Sequence, residues 1–268
     1  MVGVNRRSAL QTAIGLAVLS SVASAQRPDP PPPVPSPHFE VASIKRNLSG
    51  STDDRMNVFP GGRLVASNIP ILTLIRNVYR VQYSQLAGGP EWLATERWDI
   101  LAAGASAVNM QEMLDRIKAL LHDRFKLALH TERRDASHYA LVMARGDRRL
   151  GPLLHQDPTD CAVLPPGDAG CAATRAGGAL RMSGATLRDV AFSLSRMLDR
   201  PVVDETRLPG AYRFELTWDP NSGSVSRAAD DRASLFTALQ EQLGLRLDSR
   251  KGPVEFLVID SAERPVDD

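Results

Sequence analysis

Four carboxylates, Asp204, Glu205, Glu215 and Asp219, crowd the stretch PVVDETRLPGAYRFELTWDP (201–220). A hydrolase of the two-carboxylate kind holds its acid and base about 5 to 9.5 Å apart across a cleft, and nothing in this spacing forces that arrangement. Pro209 and Gly210 follow Asp204 and Glu205 and favour a turn, while Tyr212, Phe214, Leu216 and Trp218 alternate with Arg213, Glu215 and Thr217 as in a strand. Glu215 therefore belongs on a polar strand face. His122, His130 and His138 recur every eight residues, which suits no compact metal motif, because zinc takes three or four converging ligands. HExxH and GxSxG are both absent. The Gly pairs at Gly61 and Gly177 lack the lysine of a phosphate loop and serve as turns before strands. No residue is assigned as catalytic, metal-ligating or cofactor-binding, and no cofactor is expected.

Residues suited to contact are easier to find. Trp92 and Trp98 lie in GGPEWLATERWDI (88–100), and large amphipathic rings anchor interfaces more often than small polar side chains do. Trp98, just before Asp99 and Ile100, reads as the start of a core strand; Trp92 reads either as a lid on the core or as a contact residue. With the strand that carries Tyr212, Arg213 and Glu215 in the other half of the chain, Trp92 defines candidate partner contacts and a groove between the halves.

The N-terminus reads as an export signal. Arg6 and Arg7 precede an apolar run from Ala9 to Val22 that ends in Ala23–Ser24–Ala25, the small residues a signal peptidase requires. The run is short for a bilayer span of about 20 residues, and no other such run follows. Residues 1–25 are expected to be removed, residues 26–38 to form a proline-rich linker, and the mature protein to be periplasmic or secreted, without a transmembrane segment. The paired arginines leave the general and twin-arginine routes both open. In an oxidising compartment Cys161 and Cys171, the only cysteines, are expected to pair across the Pro/Gly-rich loop between them. The formal charge of +1, with both signs dispersed and few aromatics, gives no footprint for nucleic acid.

The elements that must position these residues occur twice. GGRLVASNIPILTLIRNVYRV from Gly61 lies on GGALRMSGATLRDVAFSLSRM from Gly177 at an offset of 116 residues. Each copy is a Gly-Gly turn, an extended run and an amphipathic helix, carried by Ile71, Leu74, Ile75 and Val78 in one and Leu187, Val190, Ala191 and Leu194 in the other. Thr186 with Asp189 and Asn109 with Glu112 have capping-box spacing, and Asn68 before Pro70 is the cap candidate for the first helix. FKLALHTE and HYALVMA read as two strands, as do LRLDS and VEFLVID after a helix that stops at Gly244. Each half is expected to run extended, helix, strand, helix, strand, strand. The first subdomain spans 39–145, the disulfide loop 146–176 and the second subdomain 177–268. The fold class is α+β, two related subdomains of mixed sheet with helices packed on the sheet faces.

The strings FEVASIKRN, GGRLVASNIPILTLIRNVYRV, GGPEWLATERWDILA, LLHDRFKLALHTERRDASHYALVMA, RPVVDETRLPGAYRFELTWDP and SLFTALQEQLGLRLDSRKGPVEFLVIDSAERP resemble a soil-associated bacterial family of unknown function abundant in acidobacteria, from about Phe39 to Pro265. The resemblance implies export, and relatives fused behind membrane-embedded peptidase-like sensor domains, but no catalytic residue. The second half, in ATLRDVAFSLSRMLDRPVV and the segment from Ser234, also resembles the short N-terminal domain of secretins and of signalling TonB-dependent receptors, interrupted by an insertion at Pro220–Asp230. That resemblance implies a small module of protein contact. The expected function is noncatalytic binding of an envelope protein, peptide or glycan; the alternatives are a small-ligand sensor domain and an envelope hydrolase.

Overall fold

The computed structural model describes residues 38–104, 108–161, 163–220 and 234–266. The predicted export signal at 1–25, the predicted linker except His38, and most of the insertion at Pro220–Asp230 lie outside the described residues. The first half of the chain supplies β1 (Val41–Arg46), β2 (Arg55–Phe59), β3 (Arg63–Pro70), α1 (Ile71–Tyr79), a 3-10 turn at Tyr83–Gln85, β4 (Leu86–Gly88), α2 (Trp92–Thr95), β5 (Arg97–Ala103), α3 (Met110–Phe125) and β6 (Ala128–Met143). The second half supplies β7 (His155–Asp157), β8 (Ala173–Ala176), β9 (Ala179–Thr186), α4 (Leu187–Leu198), β10 (Val202–Asp204), β11 (Ala211–Thr217), α5 (Leu235–Ala238) and β12 (Leu245–Ser261). α5 runs straight into a five-residue π-helical turn, Leu239–Leu243.

This is an α+β fold in which the two halves repeat one topology. One antiparallel sheet has the order β1-β5-β3-β2 and another the order β7-β11-β9-β8, the same order once each element is replaced by its counterpart. The correspondence reaches the backbone. Asn68 and Gly184, each the sixth residue of its strand, both have positive φ, and both give their N–H to an aspartate: Asn68 to Asp99 Oδ1 at 2.8 Å and Gly184 to Asp157 Oδ2 at 3.2 Å. Asn68 is therefore not the cap of α1. Its side chain donates instead to the Ser51 and Asp53 carbonyls, both at 2.8 Å, and Pro70 occupies the cap position without a side-chain bond. The capping boxes of α3 (Asn109 with Glu112) and α4 (Thr186 with Asp189) form as their spacing predicts.

The sequence predicts two strands where β6 is one, and two again where β12 is one. The segments RRDAS and RKGP, which look like breaks, pair with each other instead: Arg133 stands opposite Glu255, Asp135 opposite Pro253 and Ser137 opposite Lys251. Proline is tolerated in a ladder only where its missing N–H faces away from the partner strand. The Glu255 carbonyl, two residues on, accepts from Gln85 Nε2 at 2.9 Å, which marks that side of β12 as the outer edge.

The third sheet, β10-β6-β12-β4, joins the two halves. β6 and β12 run antiparallel from Leu245 opposite Met143 to Ser261 opposite Ala128. The short strand β10 lies parallel to β6 at Tyr139–Leu141, and β4 lies parallel to β12 at Leu257–Ile259. Each long strand is thus met by the short strand of the other half, and Asp135 opposite Pro253 marks the centre of this two-fold arrangement. The cores follow suit. The first contains Leu74, Ile75, Trp98, Met113, Ile117 and Phe125 and is completed by Leu257 and Ile259 from β12; the second contains Val190, Leu194, Tyr212 and Leu239 and is completed by Leu141 from β6. Burying one such side chain contributes about 1.5–3 kcal/mol, so the two β12 residues contribute about twice as much to the first core as Leu141 does to the second.

Cys161 and Cys171 form a disulfide with their Cα atoms 5.6 Å apart. The bond fastens the loop ahead of β8 beneath β9, because a Cβ on Gly184 would collide with Cys161 Sγ. We expect Gly184→Ala to combine this collision with a strained φ of +63° and to lower stability by roughly 3 kcal/mol or more. Gly210→Ala, at φ +85° but in open space, should cost only about 1 kcal/mol. Urea midpoints of the two variants measure the difference.

Candidate functional site

Between the lobes a groove of about 630 Å³ runs over the strand pair. Its floor comes from Thr131 and Arg133 of β6 and from Pro253 to Leu257 of β12; its walls are the end of α1 (Tyr79–Val81), one side of α4 (Arg188, Ala191, Phe192) and β10. Directly opposed residues of an antiparallel pair share a face, so Thr131 and Arg133 point the same way as Leu257 and Glu255. The Arg133–Glu255 ion pair, at 3.6 Å, lies on that face. Both partners are exposed, so the pair adds at most about 1 kcal/mol.

Local structure fixes the two walls. α1 ends where Arg80 takes a left-handed conformation at φ 55°, and this turn sends its guanidinium to the Asp189 carboxylate on the first turn of α4. Asp189 also closes its own capping box through Thr186, so one carboxylate holds a helix start and links the lobes. Ser195, at the bottom of the groove, donates from Oγ to the Ala191 carbonyl and accepts from the Val202 N–H, both at 2.8 Å. It is a structural hydroxyl and no nucleophile. Asp204 Oδ1 accepts from the N–H and Oγ1 of Thr206 at 2.9 and 2.7 Å. Arg188 is exposed and makes no ion pair among the described residues. The arrangement offers apolar surface, backbone edges and the Arg188 cation.

The residues singled out from sequence are dispersed. Trp92 is 7% exposed; its ring stacks on Phe125 at 6.4 Å and meets Trp98 edge-on at 6.3 Å, with Arg264 over it at 5.4 Å. Tyr212 is 1% exposed and its hydroxyl donates to the Pro209 carbonyl at 3.1 Å. Both rings are packed into cores. Arg213 and Glu215 stand exposed on the outer face of the second sheet, beside a shallower depression of about 350 Å³ that also includes His155 and Arg181. Glu215 is paired with Arg181 at 2.7 Å, and Glu205 with Arg250. Asp204, Glu205 and Glu215 are thus engaged separately. The groove residues Arg80, Arg133, Arg188 and Phe192 escaped sequence reasoning. The repeated helices α1 and α4 were the available signal, but only the crossing of β6 and β12 brings those helices over a common floor.

One titratable chain lies away from the groove. His130 Nδ1 is 2.9 Å from Asp260 Oδ1 and its Nε2 is 3.1 Å from Glu132 Oε1, while Arg134 binds the other oxygen of Glu132. Hydrogen bonds to Asp260 and then Glu132 raise His130 above the ordinary histidine range, and the bond from His130, followed by that from Arg134, lowers Glu132. These groups are solvent-exposed. Among the described residues no group of three His, Cys, Asp or Glu side chains is placed to hold a metal ion, and no helix is long and apolar enough to cross a membrane.

The chain belongs to the family described as protein of unknown function (DUF3738), whose model matches residues 72–262. That span takes in the helices, the groove and both long strands. No curated protein and no solved structure is similar to it.

A raised histidine stabilises the fold when protonated. The His130 contribution should be complete below its ordinary value of about 6.5, as long as the carboxylates stay ionised, and should vanish as pH rises through the raised value. We expect urea midpoints of wild type and His130→Gln to differ at pH 5.5 and to converge at pH 9. Equal gaps at both pH values would contradict this.

Proposed function

We propose that this member of the family is an exported, noncatalytic binding protein of the cell envelope, and that the groove between the lobes takes an extended peptide segment. One observation carries the reading: the two edges of the central strand pair are not alike. The edge of β12 is closed by Pro253 and by the Gln85–Glu255 bond. The edge of β6 is different. The Tyr139 N–H donates to the carbonyl of Pro201, just ahead of β10, at 2.8 Å, so Tyr139 turns its backbone outward, and by alternation so do Thr131, Arg133, Asp135 and Ser137. Beyond the end of β10 no strand covers these groups among the described residues. Thr131 and Arg133 line the groove itself.

An open strand edge beside an apolar-walled groove supports binding by strand addition, in which backbone bonds give affinity and flanking side chains give selectivity. Arg188, which makes no ion pair among the described residues, suits a carboxylate on the bound segment. The exported location rests on the basic, apolar and Ala-Ser-Ala pattern of residues 1–25 and on the disulfide. The likeness of the second half to secretin-type N-terminal domains supports contact with a protein. A small-ligand sensor is the second reading, favoured by a groove volume within the range of about 300–1,000 Å³ common to small-molecule sites.

Asp135→Pro tests the proposal, because it removes an outward N–H at the position whose opposite number is already proline. Peptides selected from a displayed library on the oxidised mature protein should bind this variant at least about tenfold more weakly, with its circular dichroism unchanged. If the variant does not fold, N-methylation of alternate peptide residues supplies the same test from the ligand side. Failure to select any peptide, or equal binding after either change, would rule out strand addition at β6.

A further inference from the structure

The two bulges that mark the repeat hold their loops in different ways. In the first lobe the loop 47–54 is tied down by Asn68, whose side chain donates to the Ser51 and Asp53 carbonyls. At the matching position of the second lobe stands Gly184, and the space that a side chain would take is filled by Cys161 Sγ, with which a Cβ would collide. The Cys161–Cys171 disulfide thus does for the loop 158–172 what an amide side chain does for its counterpart. Of the two fastenings, only the disulfide can be cut by a reductant.

The second loop is also longer, and it reaches the other lobe. Its stems stay on the second sheet: the Thr159 N–H donates to Asp157 Oδ1 at 3.0 Å, the Ser183 N–H donates to the Ala172 carbonyl at 2.9 Å, and the Ala172 N–H donates to Ser183 Oγ at 3.0 Å. Its tip lies against the first lobe. The Leu164 carbonyl accepts from the Met110 N–H at 2.9 Å; Met110 is the first residue of α3, where an N–H has no partner within the helix. Pro166 is buried, and Gly167 faces Pro60 in the turn between β2 and β3, whose ring a Cβ would meet at 3.9 Å. Within the tip, the Asp168 N–H donates to the Pro165 carbonyl at 3.2 Å and the Cys171 N–H to the Asp168 carbonyl at 2.9 Å, so the chain turns back to the second cysteine.

Apart from the disulfide, the tip has few fastenings. Val163 is 64% exposed, and no residue of the loop is a member of either core. Segments with few buried apolar contacts open at a lower free energy than the fold as a whole. Neither cysteine is buried, so a thiolate has access to the bond. We propose that the loop 158–172 is a redox-sensitive clasp between the lobes. Oxidised, it covers the start of α3; reduced, its tip leaves Met110 and Pro60, while its stems and the fold remain. The step is exchange with a dithiol. One thiolate attacks a sulfur of the pair and the S–S bond breaks to give a mixed disulfide; the second thiol then displaces the protein sulfur. The reductant leaves as a disulfide, and Cys161 and Cys171 end as thiols, having gained two electrons and two protons. None of the clasp residues lines the groove between the lobes, so the clasp is independent of peptide binding there.

Amide hydrogen exchange, followed by NMR, tests the clasp on the mature protein in three forms: oxidised, treated with dithiothreitol, and carrying both Cys161→Ser and Cys171→Ser. Met110 should exchange at least about tenfold faster in the reduced protein and in the double variant than in the oxidised one. Amides along the β6–β12 ladder should keep their protection, reoxidation should restore Met110, and dithiothreitol should change nothing further in the double variant. Unchanged exchange at Met110 would overturn the proposal, as would a disulfide that dithiothreitol leaves intact in the folded protein. Lost protection along the β6–β12 ladder, or a double variant that does not fold, would make the disulfide a staple of the whole fold and overturn a local clasp.

Discussion

The pairing of β6 with β12 is the constraint on which both lobes depend. From Leu245 opposite Met143 to Ser261 opposite Ala128 the two strands share one ladder, and each ends inside the core that the other half of the chain builds. Leu257 and Ile259 complete the first core; Leu141 completes the second. A register slip of one residue would turn these side chains to the opposite face and would open both cores at once. The ladder therefore couples the lobes energetically as well as covalently, and Ser36 to Asp268 forms one compact unit.

The same crossing creates the surfaces that bear on function. Because β6 and β12 pass between the lobes, a stretch of each has no third strand beside it among the described residues, and α1 and α4 border it. One edge carries a proline and a capping glutamine side chain, the usual means of keeping an edge from pairing; the other, between Thr131 and Ser137, carries neither. In a two-fold arrangement this departure from symmetry is informative. Among the described residues the two edges of the pair thus differ.

The Arg80–Asp189 pair, the Arg181–Glu215 pair and the chain through His130 are compensated locally. Exposed pairs contribute little to stability, and their value here is orientational: Asp189 holds both a helix start and the opposite lobe.

Much of the fold was legible in the residues because it rests on local rules. The capping boxes at Asn109 and Thr186, the left-handed stop at Gly244, the amphipathic faces of α1 and α4 and the pairing of Cys161 with Cys171 each follow from side-chain chemistry within a few positions. The repeat itself was visible as an offset between like patterns. Three things were decided only by tertiary structure. RRDAS and RKGP resemble turns, and only their mutual pairing makes them strand. Asn68 resembles a cap, and only Asp99, from a strand distant in sequence, holds it in a bulge. The groove has no sequence signature, because Arg80, Arg188 and Thr131 come together through the exchange of strands between halves, a long-range choice that no local pattern encodes.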